Sequence, residues 1–226
     1  MSPHDHTPAR ELLCAWSRRM VRDGLVVGTS GNLSLRTGDL IAVTPSGVDY
    51  ETMTAADVVL VDAEGTVVDG TREPTSELGL HVAAQARPGT VAVVHTHSPA
   101  AVALSTLSDH VPAVHYQLAM FGDGVRVSEY APFGSRELVV NALAGLGEST
   151  AVVLGHHGTL VLGDTLGAAY DGVRQLEWLC DVWLRARAVG EPRLLPDAEI
   201  SAVRGRFAAQ RSKVRATSPV PTPAPR

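Results

Sequence analysis

Apolar and polar positions along the first third of the chain change from a helical to a strand period. Apolar side chains recur at helical spacing after Thr7 and Pro8, which predicts a first helix with Thr7 as its N-cap and an end at Gly24. From residue 25 to residue 70 the apolar runs become short and are separated by turn residues, which predicts two β-hairpins. Their four strands are expected at 33–36, 40–44, 58–62 and 66–69.

Helices and strands are mixed over the rest of the chain without a strict strand–helix–strand repeat. The pattern predicts helices at 76–86, 99–106, 135–146, 165–189 and 197–210, and strands at 91–94, 111–115, 125–130 and 151–154. We therefore expect an α/β fold in which helices cover a mostly antiparallel central sheet. The expected organisation is a disordered segment at 1–7, a single domain at 8–210, and a basic, proline-rich tail at 211–226.

The composition is that of a folded globular protein, with 45% hydrophobic and 19% charged residues among 226. Of the nineteen basic residues only Lys213 is a lysine, so chemistry that needs a placed lysine, such as a Schiff base or a Walker phosphate loop, is disfavoured. The net charge is −5, and six basic residues without an acid after position 203 leave the preceding chain at −11. This acidic body predicts that the protein has no nucleic-acid partner.

The same composition bears on the compartment. No apolar run reaches the roughly 18 residues that a membrane helix needs, and the N-terminus lacks the apolar core of a signal peptide. The two cysteines, Cys14 and Cys180, are too few for a disulfide framework and suit a reducing environment. We expect a cytoplasmic protein without a membrane partner.

Three histidines form the strongest candidate site. His95 and His97 end the apolar run that begins at Val91, and alternate residues of a strand point to the same side, so both imidazoles are expected to face one ion. His157 comes at the end of a second apolar run, 151–154. Imidazole nitrogen binds zinc and related divalent metals, and three protein ligands with an open position are typical of a catalytic site. The alternative is a set of buried, hydrogen-bonded histidines.

Glu77 is the candidate fourth group of this site. It follows Pro74 at the start of a predicted helix, where the helix dipole favours a carboxylate, and His81 lies one turn later on the same face. The alternative is a helix-start residue that completes a capping pattern, and spacing alone favours that interpretation.

Three polar turns are candidates for binding an anion. Glycines let the backbone approach a ligand closely, hydroxyl groups add hydrogen-bond donors, and the helix start after Pro74 adds its dipole. A phosphate could be held in this way without a lysine, although each turn alone is more often only a loop. The turns lie at 28–32, 44–47 and 74–76, and their hydroxyl donors are Thr29, Ser46 and Ser76.

Seven short motifs occur in an order that resembles the class II aldolase/epimerase superfamily, and within it the L-fuculose-1-phosphate aldolases. The resemblance covers about residues 8–210, and an ordered set of this kind is far more specific than any single motif. The motifs are Gly28–Asn32, Thr44–Gly47, Pro74–Glu77, Val93–His97, Ala113–Tyr116, Phe133–Glu137 and His156–Gly158.

The resemblance implies an α/β/α sandwich, a homotetramer with active sites between subunits, and aldol cleavage of a ketose 1-phosphate to dihydroxyacetone phosphate and a small aldehyde. It implies Zn²⁺, or another divalent metal such as Mn²⁺ or Co²⁺, held by Glu77, His95, His97 and His157, with His156 in a supporting place. It assigns catalysis to Glu77 and to Tyr116, which would reach in from the neighbouring subunit. It assigns the substrate phosphate to Thr29, Asn32, Ser46, Gly47, Thr75 and Ser76.

The chain departs from the family pattern at one position. Gln210 stands where the fuculose aldolases carry a second catalytic tyrosine, which puts the identity of the aldehyde in doubt. Other chemistry of the superfamily stays open at this point: 4-epimerisation, dehydration of methylthioribulose 1-phosphate, decarboxylation, or a non-catalytic scaffold like the adducin head. Epimerases usually have aspartate in place of Glu77, which favours an aldolase.

Overall fold

The structure is a computed structural model, which describes the backbone of residues 6–217 and the side chains of residues 6–210. Within that range the chain forms six α-helices and eight strands, with 3₁₀ helices at Ala55–Asp57 and Tyr116–Phe121. The helices are α1 (Thr7–Arg22), α2 (Leu78–Gln85), α3 (Pro99–Ser105), α4 (Arg136–Leu146), α5 (Leu166–Val189) and α6 (Asp197–Thr217). The strands are β1 (Asn32–Thr37), β2 (Leu40–Val43), β3 (Val59–Val61), β4 (Val67–Asp69), β5 (Ala92–Thr96), β6 (Val127–Ser128), β7 (Ala151–Leu154) and β8 (Gly158–Gly163).

The eight strands form one sheet in the order β4-β3-β2-β1-β5-β8-β7-β6. Every neighbouring pair is antiparallel except β6 and β7, which run parallel. Both predicted hairpins form, and the first turns at Gly38 and Asp39, where Gly38 adopts a φ of +62°. The expectation of an α/β fold with a mostly antiparallel sheet is confirmed.

Helices cover both faces of this sheet, and the alternation along β5 shows how its residues divide between them. Helices α1, α3 and α5 pack on one face, whereas α2 and α4 pack on the other. Ala92 and Val94 of β5 belong to the core under the first set of helices, and Val93 belongs to the core under α2 and α4. Since the side-chain period of a strand is two, His95 lies on the same face as Val93, the face that α2 covers.

Two sequence-based expectations about the elements are wrong, and two elements have no counterpart among them. Thr7 is the first residue of α1, and the N-cap is His6, whose side chain makes no cap hydrogen bond. The predicted strand at 111–115 does not form: only a single bridge joins His110 to Arg126, and Pro112 has no N–H with which to extend a ladder. Strand β8 was not predicted, because its apolar run between two glycines is short, and neither was the 3₁₀ helix Tyr116–Phe121.

Helix α6 also differs from the expectation, since it continues past the predicted end at residue 210 to Thr217. The sequence 211–217 contains neither glycine nor proline, so nothing local stops the helix there. The rest of the predicted tail, 218–226, and residues 1–5 lie outside the described residues. No helix within residues 6–217 combines the length and the apolar character needed to cross a membrane.

Candidate active site

Strand β5 brings the first two candidate histidines to the end of the sheet beneath α2. His95 is fully buried within the strand, opposite Asn32 of β1 and Leu160 of β8, and His97 follows one residue beyond the strand end. The rings of His95 and His97 lie 5.0 Å apart between centroids, and each lies 4.9 Å from the ring of His157. The metal-binding atoms of the three histidines all lie within 4.8 Å of one another.

A tight turn between β7 and β8 delivers His157 to this group. The N–H of His157 donates to the carbonyl of Leu154 at 3.0 Å, and His156 inside the turn adopts a left-handed φ of +54°. Gly158 follows because a Cβ there would lie 2.0 Å from the carbonyl oxygen of Thr96 on the neighbouring strand. His156 itself is exposed and lies outside the three-histidine group, and its backbone N–H donates to the Ser105 hydroxyl at 2.9 Å.

The carboxylate of Glu77 faces the same group. Glu77 is the N-cap residue of α2, but its side chain makes no cap hydrogen bond, so the capping interpretation is wrong. Its Oε2 lies 3.0 Å from Nε2 of His95, and its Oε1 lies 3.3 Å from Nε2 of His157. The amide Nδ2 of Asn32 donates to Oε2 at 2.9 Å, and the side chain of Glu77 is only 5% exposed.

The tautomer of His95 shows that this ring has no proton to share with Glu77. Nδ1 of His95 lies 2.9 Å from the carbonyl oxygen of Thr159, which only accepts, so Nδ1 carries the proton and Nε2 carries a lone pair. That lone pair faces the carboxylate of Glu77, and both Nε2 of His95 and Oε1 of Glu77 are buried without a hydrogen-bond partner among the described residues. Two electron-rich groups at this distance repel each other unless a proton or a metal ion lies between them, so the donor set fits a bound cation.

The charges of the site favour ligand forms of these side chains. Burial, followed by the charges of His95 and His157, lowers the pKa of His97 to about 4. Burial and then the charge of His95 also lower the pKa of His157. Burial raises the pKa of Glu77, but the neighbouring imidazoles, His95 first and then His157, and the hydrogen bond from Asn32 bring it well below its usual value. At neutral pH, His97 and His157 are therefore neutral and Glu77 is ionised, which are the forms that bind divalent metals.

A cleft of about 170 Å³ opens beside Glu77, and all three predicted anion turns meet in it. An antiparallel bridge between Pro45 and Pro74 joins two of the turns. The N–H of Ser46 donates to the carbonyl of Glu73 at 3.0 Å, and the N–H of Thr75 donates to that of Thr44 at 3.1 Å, so both amides already have partners within the fold. The cleft is lined by Thr29, Asn32, Ser46, Gly47, Thr75 and Ser76 together with Glu77, His97, His157 and Phe133.

Gly31 and Tyr50 hold the first of these turns against the histidine strand. Gly31 has a φ of +72°, and a Cβ there would lie 2.5 Å from Val26 and 2.9 Å from the carbonyl oxygen of His95. The buried hydroxyl of Tyr50 donates to the carbonyl oxygen of Gly31. Burial raises the pKa of Tyr50 to about 12, so this hydroxyl stays a donor at neutral pH. The anion turn and the histidine strand are thus fixed relative to each other.

The resemblance places catalytic tyrosines at Tyr116 and at the position of Gln210, and neither residue lines the cleft. Tyr116 is 48% exposed at the start of its 3₁₀ helix, stacked on His115, and is not among the residues lining the cleft. Helix α6, which carries the exposed Gln210, packs against that 3₁₀ helix. The structure therefore brings together ten of the eleven predicted site residues and leaves Tyr116 on another part of the surface.

Sequence reasoning missed two polar side chains under the site, Ser34 and Gln85, and left His81 without a role. All three are buried next to Asn32 and Glu77. A signal for them exists in the spacing: Ser34 is two residues from Asn32 along a strand, while His81 and Gln85 follow Glu77 at four-residue intervals along a helix.

Comparisons with known proteins agree with this geometry. The family model described as the class II aldolase and adducin N-terminal domain matches residues 11–184. The chain is 34% identical over 201 residues to the 5-deoxy-D-ribulose 1-phosphate aldolase of Bacillus thuringiensis serovar kurstaki, covering 88% of this chain and 94% of that protein. It is 37% identical over 220 residues to the 5-methylthioribulose-1-phosphate/5-deoxyribulose-1-phosphate aldolase of Rhodospirillum rubrum, covering 96% and 99%. A solved L-fuculose 1-phosphate aldolase superposes with a TM-score of 0.87 at 36% identity, covering 92% of this chain and all of that one.

Proposed function

The chain belongs to the class II aldolase and adducin N-terminal domain family, and from that premise we propose that it catalyses the reversible aldol cleavage of a ketose 1-phosphate. The products are dihydroxyacetone phosphate and a small aldehyde. One observation carries the proposal: the metal-binding atoms of three histidines and the carboxylate of Glu77 lie together beside a hydroxyl-lined cleft. Related chains of similar length are named as aldolases of 5-deoxyribulose, 5-methylthioribulose and fuculose 1-phosphates.

The residues that would hold a divalent metal ion are His95, His97, His157 and Glu77. Zinc fits best, because it accepts imidazole nitrogen and carboxylate oxygen together, and Mn²⁺ or Co²⁺ are the alternatives. When bound, such an ion acts as a Lewis acid that stabilises the negative charge developing on the substrate oxygens as the C3–C4 bond breaks. The scarcity of lysine agrees with this assignment, since the reaction proceeds without an imine.

Glu77 moves the proton in the proposed mechanism. In the synthetic direction the ionised carboxylate removes a proton from the carbon of dihydroxyacetone phosphate, and Tyr116 supplies a proton to the aldehyde oxygen. In the cleavage direction Tyr116 takes the proton of the substrate hydroxyl, and Glu77, which has gained a proton by exchange with solvent, returns it to the substrate carbon. Its low pKa keeps the carboxylate ionised and able to accept the proton at neutral pH. The hydrogen bond from Asn32 holds Oε2 of the carboxylate. Oε1 has no hydrogen-bond partner among the described residues and faces the ring of His157.

The phosphate end of the substrate is assigned to the three turns that meet in the cleft. The hydroxyls of Thr29, Ser46 and Ser76, with Thr75, Gly47 and Asn32 beside them, surround an opening next to Glu77. A phosphate held there lies away from the reacting carbons and contributes orientation, which converts binding free energy into rate.

The aldehyde end is assigned to a surface that a second subunit completes. Tyr116 and the helix of Gln210 pack together but not around the cleft of their own chain, which supports a tetramer in which Tyr116 reaches the neighbouring active site. Gln210 in place of a second tyrosine favours a small, apolar-ended aldehyde. This agrees with the 5-deoxy and 5-methylthio substrates in the names of two relatives.

A scaffold role like that of the adducin head is disfavoured by the donor set. A chain that only supports partners has no need of three histidines and a buried carboxylate facing one another, because this arrangement costs stability without a cation. All four groups are present and converge.

The proposed function is tested with the metal-reconstituted protein and a panel of ketose 1-phosphates. Release of dihydroxyacetone phosphate is expected from at least one of them, and bound metal is measured by elemental analysis. The matched control is Glu77→Gln, which keeps the shape of the side chain and removes its basicity. Loss of a general base typically lowers the rate by about 10²–10⁴-fold. The proposal is wrong if the reconstituted protein binds no divalent metal, or if metal-loaded protein cleaves no ketose 1-phosphate.

A further inference from the structure

A chain of buried hydrogen bonds runs beneath the candidate active site and ends on Glu77. His81 of α2 is fully buried, with its Nε2 2.6 Å from Oδ1 of Asn32 and its Nδ1 2.8 Å from the hydroxyl of Ser34. Asn32 in turn donates from Nδ2 to Oε2 of Glu77 at 2.9 Å. Beyond Ser34 the chain continues to Gln85, whose Nε2 donates to the Ser34 hydroxyl at 3.1 Å.

The direction of every hydrogen bond in this chain is fixed by its two ends. At the inner end, Nε2 of Gln85 also donates to the backbone carbonyl of Val91 at 3.2 Å, which only accepts, so the amide group must present its NH₂ there. Gln85 is therefore a double donor, and its second hydrogen goes to Ser34. The Ser34 hydroxyl has no other acceptor than Nδ1 of His81 among the described residues, so its own hydrogen goes there and the imidazole proton lies on Nε2.

At the outer end, an ionised carboxylate fixes the same direction. Glu77 accepts only, so Asn32 presents its NH₂ to Oε2 and its carbonyl oxygen Oδ1 to His81. An acceptor at this place requires a donor on His81, which is the proton on Nε2. The outer end thus requires the tautomer with which the inner end agrees, and hydrogen bonds aligned head to tail strengthen one another in a buried site.

We propose that His81 is a positioning residue for the proposed aldol reaction, which keeps the Asn32 amide turned with its NH₂ toward Glu77 and thereby holds the carboxylate in place. The inference rests on the proposed function for its consequence, but not for its geometry. Without a donor at His81, the Asn32 amide could turn over and direct its carbonyl oxygen at the Glu77 carboxylate. The carboxylate would then lose its hydrogen bond and its fixed orientation.

A purely structural role for the same residues predicts something different. If the chain only satisfies buried polar groups, any side chain of similar volume at position 81 should change stability without a specific effect on proton transfer. The polarity of the side chain would then be irrelevant to the reaction. Substitutions that preserve or remove the donor–acceptor pattern at position 81 separate the two roles.

The test compares His81→Phe with His81→Gln in the metal-reconstituted protein. Phenylalanine fills the space without a donor, whereas glutamine has an NH₂ for Asn32 and a carbonyl oxygen for the Ser34 hydroxyl. The reaction measured is exchange of the C3 hydrogen of dihydroxyacetone phosphate with solvent deuterium, followed by proton NMR, because it reports on Glu77 without needing the aldehyde. For His81→Phe we expect the exchange rate at saturation to fall by about 10–100-fold, as for other residues that orient a site ligand. The dissociation constant for dihydroxyacetone phosphate and the metal content should stay near the parent values.

His81→Gln should restore exchange to within about threefold of the parent protein, since it restores the donor. Parent-like exchange in a folded His81→Phe protein overturns the proposal. So does a rate in folded His81→Gln as low as in His81→Phe, because it would show that ring packing matters and polarity does not. Absence of exchange in the parent protein contradicts the proposed function instead.

A second measurement needs no folded Phe variant. In the metal-loaded parent protein labelled with ¹⁵N-histidine, the resonance that disappears in His81→Gln should be that of a neutral imidazole protonated at Nε2 only. A proton on Nδ1, or on both nitrogens at neutral pH, overturns the proposed chain whatever the activity results.

Discussion

Acid should destabilise this protein through His81 before most of its carboxylates begin to titrate. Burial, and then the charge of His95, lowers the pKa of His81 to about 3, although Glu77 acts in the opposite direction. The corresponding pKa in the unfolded chain is about 6.5. Below pH 6.5 the unfolded chain therefore binds a proton that the folded protein excludes, so stability falls as the pH falls toward the folded-state value.

The size of the effect follows from these two values. Between about pH 7 and pH 5, the linkage relation gives a loss of about 2 kcal/mol in the free energy of unfolding from His81 alone. Because His81 is completely buried, solvent screening does not reduce this contribution. His81→Gln removes the titrating group and keeps a donor and an acceptor at the same place.

The assay is urea unfolding of chelator-treated parent and His81→Gln proteins at equal concentration, at several values between pH 5 and pH 7.5. We expect the variant to lose about 2 kcal/mol less than the parent over this range. The matched control is His156→Asn, which removes an exposed histidine at a left-handed position that asparagine tolerates. Parallel stability curves for parent and His81→Gln would refute the reasoning that His81 is held neutral.

Three further predictions concern the metal, the anion turn and the assembly. Alanine at any one of the ligand histidines His95, His97 and His157 should abolish metal binding and activity, while circular dichroism shows that the sheet remains folded. His156→Ala should retain the metal. Full metal occupancy in His157→Ala would contradict the assignment. Tyr50→Phe leaves the carbonyl of Gly31 without its donor, so the free energy of unfolding should fall by about 1–3 kcal/mol and phosphate binding should weaken. Urea unfolding measures the first effect and calorimetry the second, and Tyr130→Phe, at an exposed tyrosine, is the control. Light scattering should give a tetramer, and Tyr116→Phe should lower activity without loss of metal; an active monomer would contradict a contribution of Tyr116 across an interface.

Much of the fold was predictable because its strands and helices carry strong local signals. The Gly38 turn, the run before His95 and the α5 pattern are each fixed by nearby residues, and the structure has them where the sequence indicates. Strand β8 was missed because its six residues begin and end with glycine, and its place beside β5 depends on the close approach of Gly158 to Thr96. No local pattern contains that long-range contact.

The same distinction applies to the site. The histidine pair is visible because both residues follow one strand, but spacing alone favoured a capping role for Glu77. What decides between a cap and a ligand is the tertiary position of the N-terminus of α2 over β1 and β5, which places the carboxylate 3.0 Å from His95. The chain from Gln85 to Asn32 likewise joins a helix to a strand, so its members could be suspected from spacing but not connected.

The unpartnered atoms at the site explain how metal binding and folding are linked here. Oε1 of Glu77 and Nε2 of His95 are buried without hydrogen bonds among the described residues, and each such atom costs about 1–3 kcal/mol. The fold keeps them in place through the backbone: the ladder between β5 and β8 fixes His95, and the N–H of Thr75, which donates to the carbonyl of Thr44, fixes the segment that leads into Glu77. A divalent ion gives both atoms a partner, and at a free concentration of 100 times its dissociation constant it adds about 2.7 kcal/mol to the stability. Metal should therefore raise the melting temperature of the parent protein but not that of a variant without its ligand histidines, since the sheet forms without the ion and only the converging donors require it.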